Sequence, residues 1–319
     1  MQKRFRLFAI ISIGFFLVML AFFPSRYMAA VSDGLLLFVM SVLPAMLPFF
    51  FFSRLLTSLD VASSLADYTK KPLQKLFGAP DIGGYIFVMS MLSGYPIGAK
   101  LVADCCENGI VSKEEAKRLL AFTSTSGPLF VLGTVGSNML GNYKAGLVIL
   151  FTHYLGAVIN GIIFRSKTPA PSAKAFTLTK YDNILSDAIN GSIASVLAVG
   201  GYIAIFNMLI VLFKDIKLIG FVSETLSGLG IPYLLCEGMV TGVIEITRGS
   251  YLLAASGESL KAIVPLLSAI ISFGGLSVTV QSLSFLSGCG IKARYYFVTK
   301  LSQCVVTFAL ATVVSLLVF

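Results

Sequence analysis

Long hydrophobic stretches, separated by short polar segments, make up most of this chain. Five of them are long enough for a helix that crosses a bilayer, which needs about 20 residues. They are residues 7–23, 34–52, 145–164, 193–213 and 301–319. Such a helix satisfies its backbone polar groups within itself, which makes it stable in lipid. The pattern predicts an all-α polytopic membrane protein.

Four further apolar stretches contain residues that break helices. Residues 83–103 are interrupted at 93–96, residues 119–140 at 124–128, residues 233–255 at Thr241-Gly242, and residues 260–286 at 273–275. Each arm of 83–103 gives about 15 Å of helix, or half a bilayer, which predicts a re-entrant hairpin. Non-helical backbone at this depth is tolerated where it is buried in protein or lines a wet cavity. The four breaks therefore predict a shared central cavity.

The two halves of the chain match each other without a gap at an offset of 148 residues. Ser93 pairs with Thr241, Gly94 with Gly242, Lys100 with Arg248, Gly127 with Gly275, and Lys144-Ala145 with Lys292-Ala293. Apolar sequences match by chance, but these matches include breakers and cations, which are scarce. We interpret the pattern as an internal duplication.

The placement of Lys and Arg decides how the two halves are oriented. We count the Lys and Arg residues with the N-terminus inside and Lys100 left out. If the broken segment 83–103 and its counterpart in the second half are re-entrant hairpins, 17 cations lie inside and 6 outside. If both segments span the membrane, 13 lie inside and 10 outside. The positive-inside bias favours the hairpins. The prediction is about seven transmembrane helices plus two re-entrant hairpins that enter from opposite faces, an inverted structural repeat with a cytoplasmic N-terminus.

This architecture divides the chain into four parts. They are an N-terminal transmembrane helix (1–28), a first repeat of helix, hairpin and two helices (29–165), a cytoplasmic linker (166–183), and a second, inverted repeat (184–319). The first helix is expected to be retained, because no A-x-A-like cleavage site follows residue 23.

Composition and motifs exclude several function classes. The chain has a net charge of +9, but 56% of its residues are hydrophobic. In a membrane protein, an excess of Lys and Arg is typical of cytoplasmic loops, so we expect no nucleic acid partner. The five cysteines lack metal-ligand spacing. No GxSxG, P-loop, HExxH or Rossmann motif occurs. We expect no enzyme, no cofactor and no metal site.

The candidate chemistry lies at the breaks. Half-helices that begin near Pro96, Pro128, Val243 and Leu276 expose backbone N–H groups, which suit anions. Under the inversion, Lys100 and Arg248 face each other and suit a small dianion. The alternative is that both side chains snorkel to the headgroups.

Glu245 is a carboxylate predicted beside a hairpin tip, where it binds a coupling proton or pairs with Lys100 or Arg248, and Glu237 is a weaker candidate of the same kind. Gln281 is the favoured amide contact. His153 is expected in a hydrogen-bonded packing role. The predicted substrate-binding set is Ser93, Gly94, Pro96, Lys100, Thr125, Ser126, Gly127, Thr241, Gly242, Glu245, Arg248, Gly274, Gly275 and Gln281.

Several of these segments resemble a known family. SGYPIGAK (93–100), KEEAKRLLAF (113–122), TSGPLFVLG (125–133), GVIEITRG (242–249) and GGLSVTVQ (274–281) resemble the YlbJ-type sporulation integral membrane proteins of the nucleoside recognition, or GATE-domain, group. The resemblance implies a role in endospore formation, linked to moving dipicolinate from the mother cell towards the forespore. It also implies a fold related to the concentrative nucleoside transporters.

Three functional hypotheses follow. The first is a transporter or facilitator of a small organic anion, dipicolinate under the resemblance, that works by alternating access with hairpin gates. The second is a nucleoside carrier of the related fold, and the third is a non-transporting scaffold for spore assembly. The expected partners are the lipid bilayer and a coupling ion, H⁺ or Na⁺, and the sequence leaves a homo-oligomer open. The expected location is the bacterial cell membrane, with the outer forespore membrane as its specific form.

Overall fold

A computed structural model describes residues 2–58, 61–165 and 183–319, so nearly all of the predicted linker 166–183 lies outside the described residues. The first half contains two π-helical segments, π1 (Phe38–Val42) and π2 (Leu129–Met139). Its α-helices are α1 (Gln2–Phe22), α2 (Pro24–Leu37), α3 (Leu43–Ser58), α4 (Val61–Phe77), α5 (Gly83–Ser93), α6 (Ile97–Glu107), α7 (Lys113–Thr123) and α8 (Tyr143–Ile163).

The second half is also helical, and no strand occurs in the described residues. Its helices are α9 (Ile184–Asp215), α10 (Leu218–Ser227), α11 (Tyr233–Ile244), α12 (Ile246–Ala254), α13 (Leu260–Phe273), α14 (Gly275–Leu286) and α15 (Ala293–Val318). Among described residues, five segments are long and apolar enough to cross a membrane: Pro24–Val42, Tyr143–Ile163, Ile184–Asp215, Leu260–Leu286 and Ala293–Val318. The all-α membrane fold is confirmed, while the count of seven spans, the inversion and the four-part division stay predictions.

Two helical hairpins and two broken helices carry the interruptions. Hairpin 1 is α5–α6, with its tip at Gly94–Pro96, and hairpin 2 is α11–α12, with its tip at Glu245. Broken helix 1 is α7–π2, interrupted at residues 124–127 (break 1), and broken helix 2 is α13–α14, interrupted at Gly274 (break 2). Three breaks fall where the sequence predicts them. The fourth was placed wrongly at Thr241-Gly242, because the helix continues to Ile244 and ends where the Glu245 side chain caps α12.

Three other boundaries differ from the sequence expectation. The polar connector after α3 is a helix, α4, and α10 was not predicted. The last helix begins at Ala293 and not at residue 301, which brings Lys300 into the helical interior. Helix α7 begins with a capping box, in which the Ser112 hydroxyl accepts the backbone N–H of Glu115 and the Glu115 carboxylate accepts the backbone N–H of Ser112.

Close backbone contacts hold each hairpin tip against the broken helix of its own half. A Cβ on Gly94 would collide with the backbone nitrogen of Gly127 at break 1. In the second half, a Cβ on Gly275 would lie 2.9 Å from Ile246 and 3.1 Å from the carbonyl oxygen of Gly242. Gly94 and Gly127 are the positions that pair with Gly242 and Gly275 in the sequence repeat, so the paired positions make matching contacts.

Candidate functional site

The two hairpin tips, break 1 and the first turns of α14 surround one cavity, whose open space of about 600 Å³ includes solvent at its mouth. Apolar side chains of π1, α3, π2 and α9 form one wall, among them Val42, Met46, Phe130 and Ile203. The polar wall consists of Ser93, Gly94, Tyr95, Ser126, Gly127, Glu245, Thr247, Ser277 and Gln281.

Half-helices begin at this cavity, and they differ in how their first N–H groups are satisfied. The N-termini of α6, π2 and α14 have no side-chain cap. The N-terminus of α12 is capped, because Glu245 Oε1 accepts the N–H of Thr247 at 3.0 Å and Oε2 accepts that of Arg248 at 2.7 Å. Helix N-termini carry partial positive charge and attract anions. No side chain therefore caps three of these half-helix ends, although the first N–H of α6, at Ile97, donates to the carbonyl oxygen of Gly94 at 3.0 Å.

Glu245 lies on the cavity wall and is 2% exposed. The ion pairs of the described residues do not include one between Glu245 and Lys100 or Arg248. Its carboxylate serves instead as the helix cap, and it is the one acidic side chain among the residues that line the cavity. Glu237 forms an ion pair with Lys214, at 2.6 Å.

Gln281 also lies on the wall, 5% exposed, and no hydrogen bond of its side-chain amide occurs among the described residues. Its amide can both donate to a carboxylate and accept from a donor. Six of the predicted substrate-binding residues line the cavity: Ser93, Gly94, Ser126, Gly127, Glu245 and Gln281.

Lys100 and Arg248 do not belong to the lining, and each side chain lies instead beside an aromatic ring. Lys100 Nζ lies 5.9 Å from the ring centroid of Phe285, and the Arg248 guanidinium carbon lies 5.6 Å from that of Tyr251. The predicted opposed pair is therefore not part of the cavity in this structure. Its role in holding carboxylates stays a prediction.

The other predicted residues pack behind the lining. The Thr125 hydroxyl lies 3.0 Å from that of Ser90. Thr241 is buried, and its hydroxyl has no hydrogen-bond partner in the described part of the chain. The remaining four, Pro96, Gly242, Gly274 and Gly275, shape the tips and breaks.

His153 connects the two breaks. Its Nε2 accepts the backbone N–H of Ser126 at 2.9 Å, which places the ring proton on Nδ1. Nδ1 then donates to the Ser272 hydroxyl, at 2.7 Å. Both ring nitrogens are used in hydrogen bonds between buried groups, which is the packing role that the sequence favours.

Lys300 is a buried residue of this region that sequence reasoning missed. It is 1% exposed and reaches the tip of hairpin 1, where its Nζ lies 2.7 Å from the Tyr95 hydroxyl. The signal was present, because a lysine flanked by Val298 and Leu301 within an apolar helix is unusual in a membrane protein. Because the last helix was predicted to begin at residue 301, Lys300 was assigned to a loop and was not considered as a site residue.

Comparisons with known proteins agree on a membrane fold. The chain is 31% identical over 307 residues to the sporulation integral membrane protein YlbJ of Bacillus subtilis (strain 168), covering 88% of this chain and 75% of that protein. No family model matches the sequence. CNTnw, a concentrative nucleoside transporter, is similar in an inward-facing substrate-bound state, with a TM-score of 0.56, 13% identity, and coverage of 99% of this chain and 85% of that chain. A CNTnw mutant in an intermediate state gives a TM-score of 0.58 with the same identity and coverage. At this identity the likeness shows the fold alone.

Proposed function

The chain belongs to the family of the sporulation integral membrane protein YlbJ, and from this premise we propose that it carries a small organic anion, dipicolinate, across a bacterial membrane during endospore formation. The membrane proposed is the outer forespore membrane, with the N-terminus of the protein in the cytoplasm of the mother cell. The hairpins would gate the cavity by alternating access, driven by an H⁺ or Na⁺ gradient. No step of this function requires covalent chemistry by the protein.

The observation that carries the proposal is the set of three uncapped half-helix N-termini, α6, π2 and α14, around one cavity. Broken helices at matching positions in two halves are typical of substrate sites in transporters. Dipicolinate is a planar aromatic dicarboxylate. Its aromatic ring suits the apolar wall of the cavity. Its two carboxylates suit the backbone N–H groups of the helix ends and the Gln281 amide.

A nucleoside carrier is the second candidate function. The fold is similar to that of CNTnw, which was solved in a substrate-bound state. The single acidic residue of the lining, Glu245, also suits a neutral solute that donates hydrogen bonds. Neither observation explains the three uncapped helix ends, so the anion is the better-supported substrate.

Equilibrium binding to the purified protein separates the two candidates. We expect dipicolinate to bind and uridine to compete weakly or not at all. Uridine binding that dipicolinate does not displace would favour the nucleoside carrier. If neither ligand binds and a swap of the linker 166–180 alone abolishes sporulation function, the non-transporting scaffold is favoured.

A further inference from the structure

The Lys300 amine makes three hydrogen bonds, two to residues of the first half of the chain and one to its own helix in the second half. Besides the Tyr95 hydroxyl, its Nζ lies 2.7 Å from the carbonyl oxygen of Ser124 at break 1 and 2.7 Å from Gln303 Oε1 on its own helix. The ion pairs among described residues, within 4.0 Å, do not include Lys300. A buried amine without a counter-charge inside a membrane protein indicates a functional group.

The surroundings of Lys300 satisfy the amine in two protonation states. As an ammonium, Nζ donates to all three partners, and Tyr95 directs its own hydroxyl proton to the carbonyl oxygens of Ile271 and Ser272, at 3.2 and 3.3 Å. As a neutral amine, Nζ donates to its other two partners and accepts the Tyr95 proton. Tyr95 is thus tied to the end of α13, beside break 2, only when Lys300 carries the extra proton.

Few other ionisable groups face Lys300. They are Tyr95 from hairpin 1, His153 from α8 and Cys304 from α15, while Tyr154 and Tyr296 lie near Tyr95. Helix α14 has no ionisable residue, α13 has only Lys261 in its first turn, and the charged residues of α7 lie in its first half. Across the cavity, Glu245 has Arg248 as its charged neighbour. The acids of hairpin 1, Asp104 and Glu107, are exposed in the second half of α6, so no acid on these elements is placed to neutralise the Lys300 ammonium.

We propose that Lys300 is the proton-binding site that couples H⁺ to the anion, a step that rests on the proposed function above. A hydronium ion gives its proton to the Nζ lone pair, so that an O–H bond breaks, an N–H bond forms and water is left, and the Tyr95 hydroxyl turns towards α13. The anion in the cavity beside Tyr95 supplies the counter-charge that the ammonium lacks. By linkage, proton and anion each strengthen the binding of the other by the same factor.

Substituting Lys300 with arginine or with glutamine separates the effect of a fixed charge from the effect of proton exchange on dipicolinate binding. Arginine stays charged at all ordinary pH values, and glutamine is never charged. At pH values where both dipicolinate carboxyls are ionised, the wild-type Kd for dipicolinate should rise by up to about tenfold per pH unit as Lys300 loses one proton. Lys300→Arg should bind tightly at every pH, and Lys300→Gln weakly at every pH. Lys292→Arg, at the exposed start of the same helix, is the matched control and should keep the wild-type slope.

Two outcomes of this titration would overturn the proposal. One is a wild-type Kd that does not depend on pH. The other is a wild-type slope in Lys300→Arg, and if that slope disappears in Glu245→Gln, the proton lies on Glu245.

A substrate-free measurement separates the proton site from the choice of substrate. In a background without the five native cysteines, labelling of Ser93→Cys relative to Gly109→Cys should fall with falling pH, because protonation ties Tyr95 to α13. In Lys300→Arg the ratio should stay low at every pH. Equal ratios in the two proteins across the pH range overturn the proposal. A pH-dependent ratio without any dipicolinate binding supports the proton site and overturns only the proposed substrate.

Discussion

Gln281 and Glu245 are both buried on the cavity wall, but their surroundings give them different tasks. Glu245 uses both carboxylate oxygens to cap α12, whereas the Gln281 amide has no partner within the described residues. The sequence could identify both, because polar residues near breaks of an apolar helix are rare. Lys300 was equally visible as a charge in an apolar segment, but its acceptors Tyr95 and Ser124 come from residues far away in the chain and could not be predicted.

Replacing Gln281 with Leu should weaken dipicolinate binding by about tenfold, because a hydrogen bond to a charged group contributes about 1.5–3 kcal/mol. Isothermal titration of the purified variants measures this. Val280→Leu, on the exposed side of the same helix, is the control. Unchanged affinity in Gln281→Leu would remove this residue from the site.

Replacing Glu245 with Ala should destabilise the protein by about 1–2 kcal/mol, the usual cost of losing an N-cap. Thermal unfolding in detergent measures the change, and the exposed Glu258→Ala variant is the control. Equal melting temperatures for the Glu245 and Glu258 variants would show that the cap contributes no stability.

Replacing Lys100 or Arg248 with Ala tests the predicted cation pair. Since both lie off the cavity lining, dipicolinate affinity should change by less than about threefold, or 0.7 kcal/mol. A loss in both variants as large as that of Gln281→Leu would instead support the opposed pair that the sequence predicts.

At the scale of helices, glycine and proline predicted three of the four breaks. The fourth break is decided by a side-chain cap at Glu245, which no backbone-breaking residue marks. The start of α15 at Ala293 was not predicted, because Arg294 and Lys300 lower the apolar character of a segment that is nevertheless helical. Breaks caused by residue type are visible in the sequence, whereas boundaries set by tertiary partners are not.

The Gly94→Ala variant tests the contact between hairpin 1 and break 1. Both Gly94 (φ 74°) and Gly109 (φ 67°) have positive φ, and with ψ at −171° Gly94 lies in a region that is essentially restricted to glycine, so alanine costs about 1–3 kcal/mol in backbone strain there. Only at Gly94 does the added Cβ also meet backbone, since nothing lies within 4 Å at Gly109. Gly94→Ala should therefore lower the melting temperature clearly more than Gly109→Ala. Equal losses would contradict the tight contact with Gly127.

At the scale of the whole molecule, the duplication predicts that equivalent hairpins open to opposite sides of the membrane. Gly109 and Gly257 occupy equivalent positions after hairpins 1 and 2, both at positive φ with nothing within 4 Å of an added Cβ. In a cysteine-free background, Gly109→Cys and Gly257→Cys should react with an impermeant maleimide from opposite sides of oriented vesicles. Labelling from the same side would show parallel repeats.

Uptake of labelled dipicolinate into proteoliposomes tests the central claim, transport of an organic anion through the cavity between the breaks. The account predicts saturable uptake above that of protein-free liposomes, competed by unlabelled dipicolinate and not by uridine, and reduced about tenfold by Gln281→Leu. Uptake no greater than in protein-free liposomes, under any imposed pH or Na⁺ gradient, would contradict it.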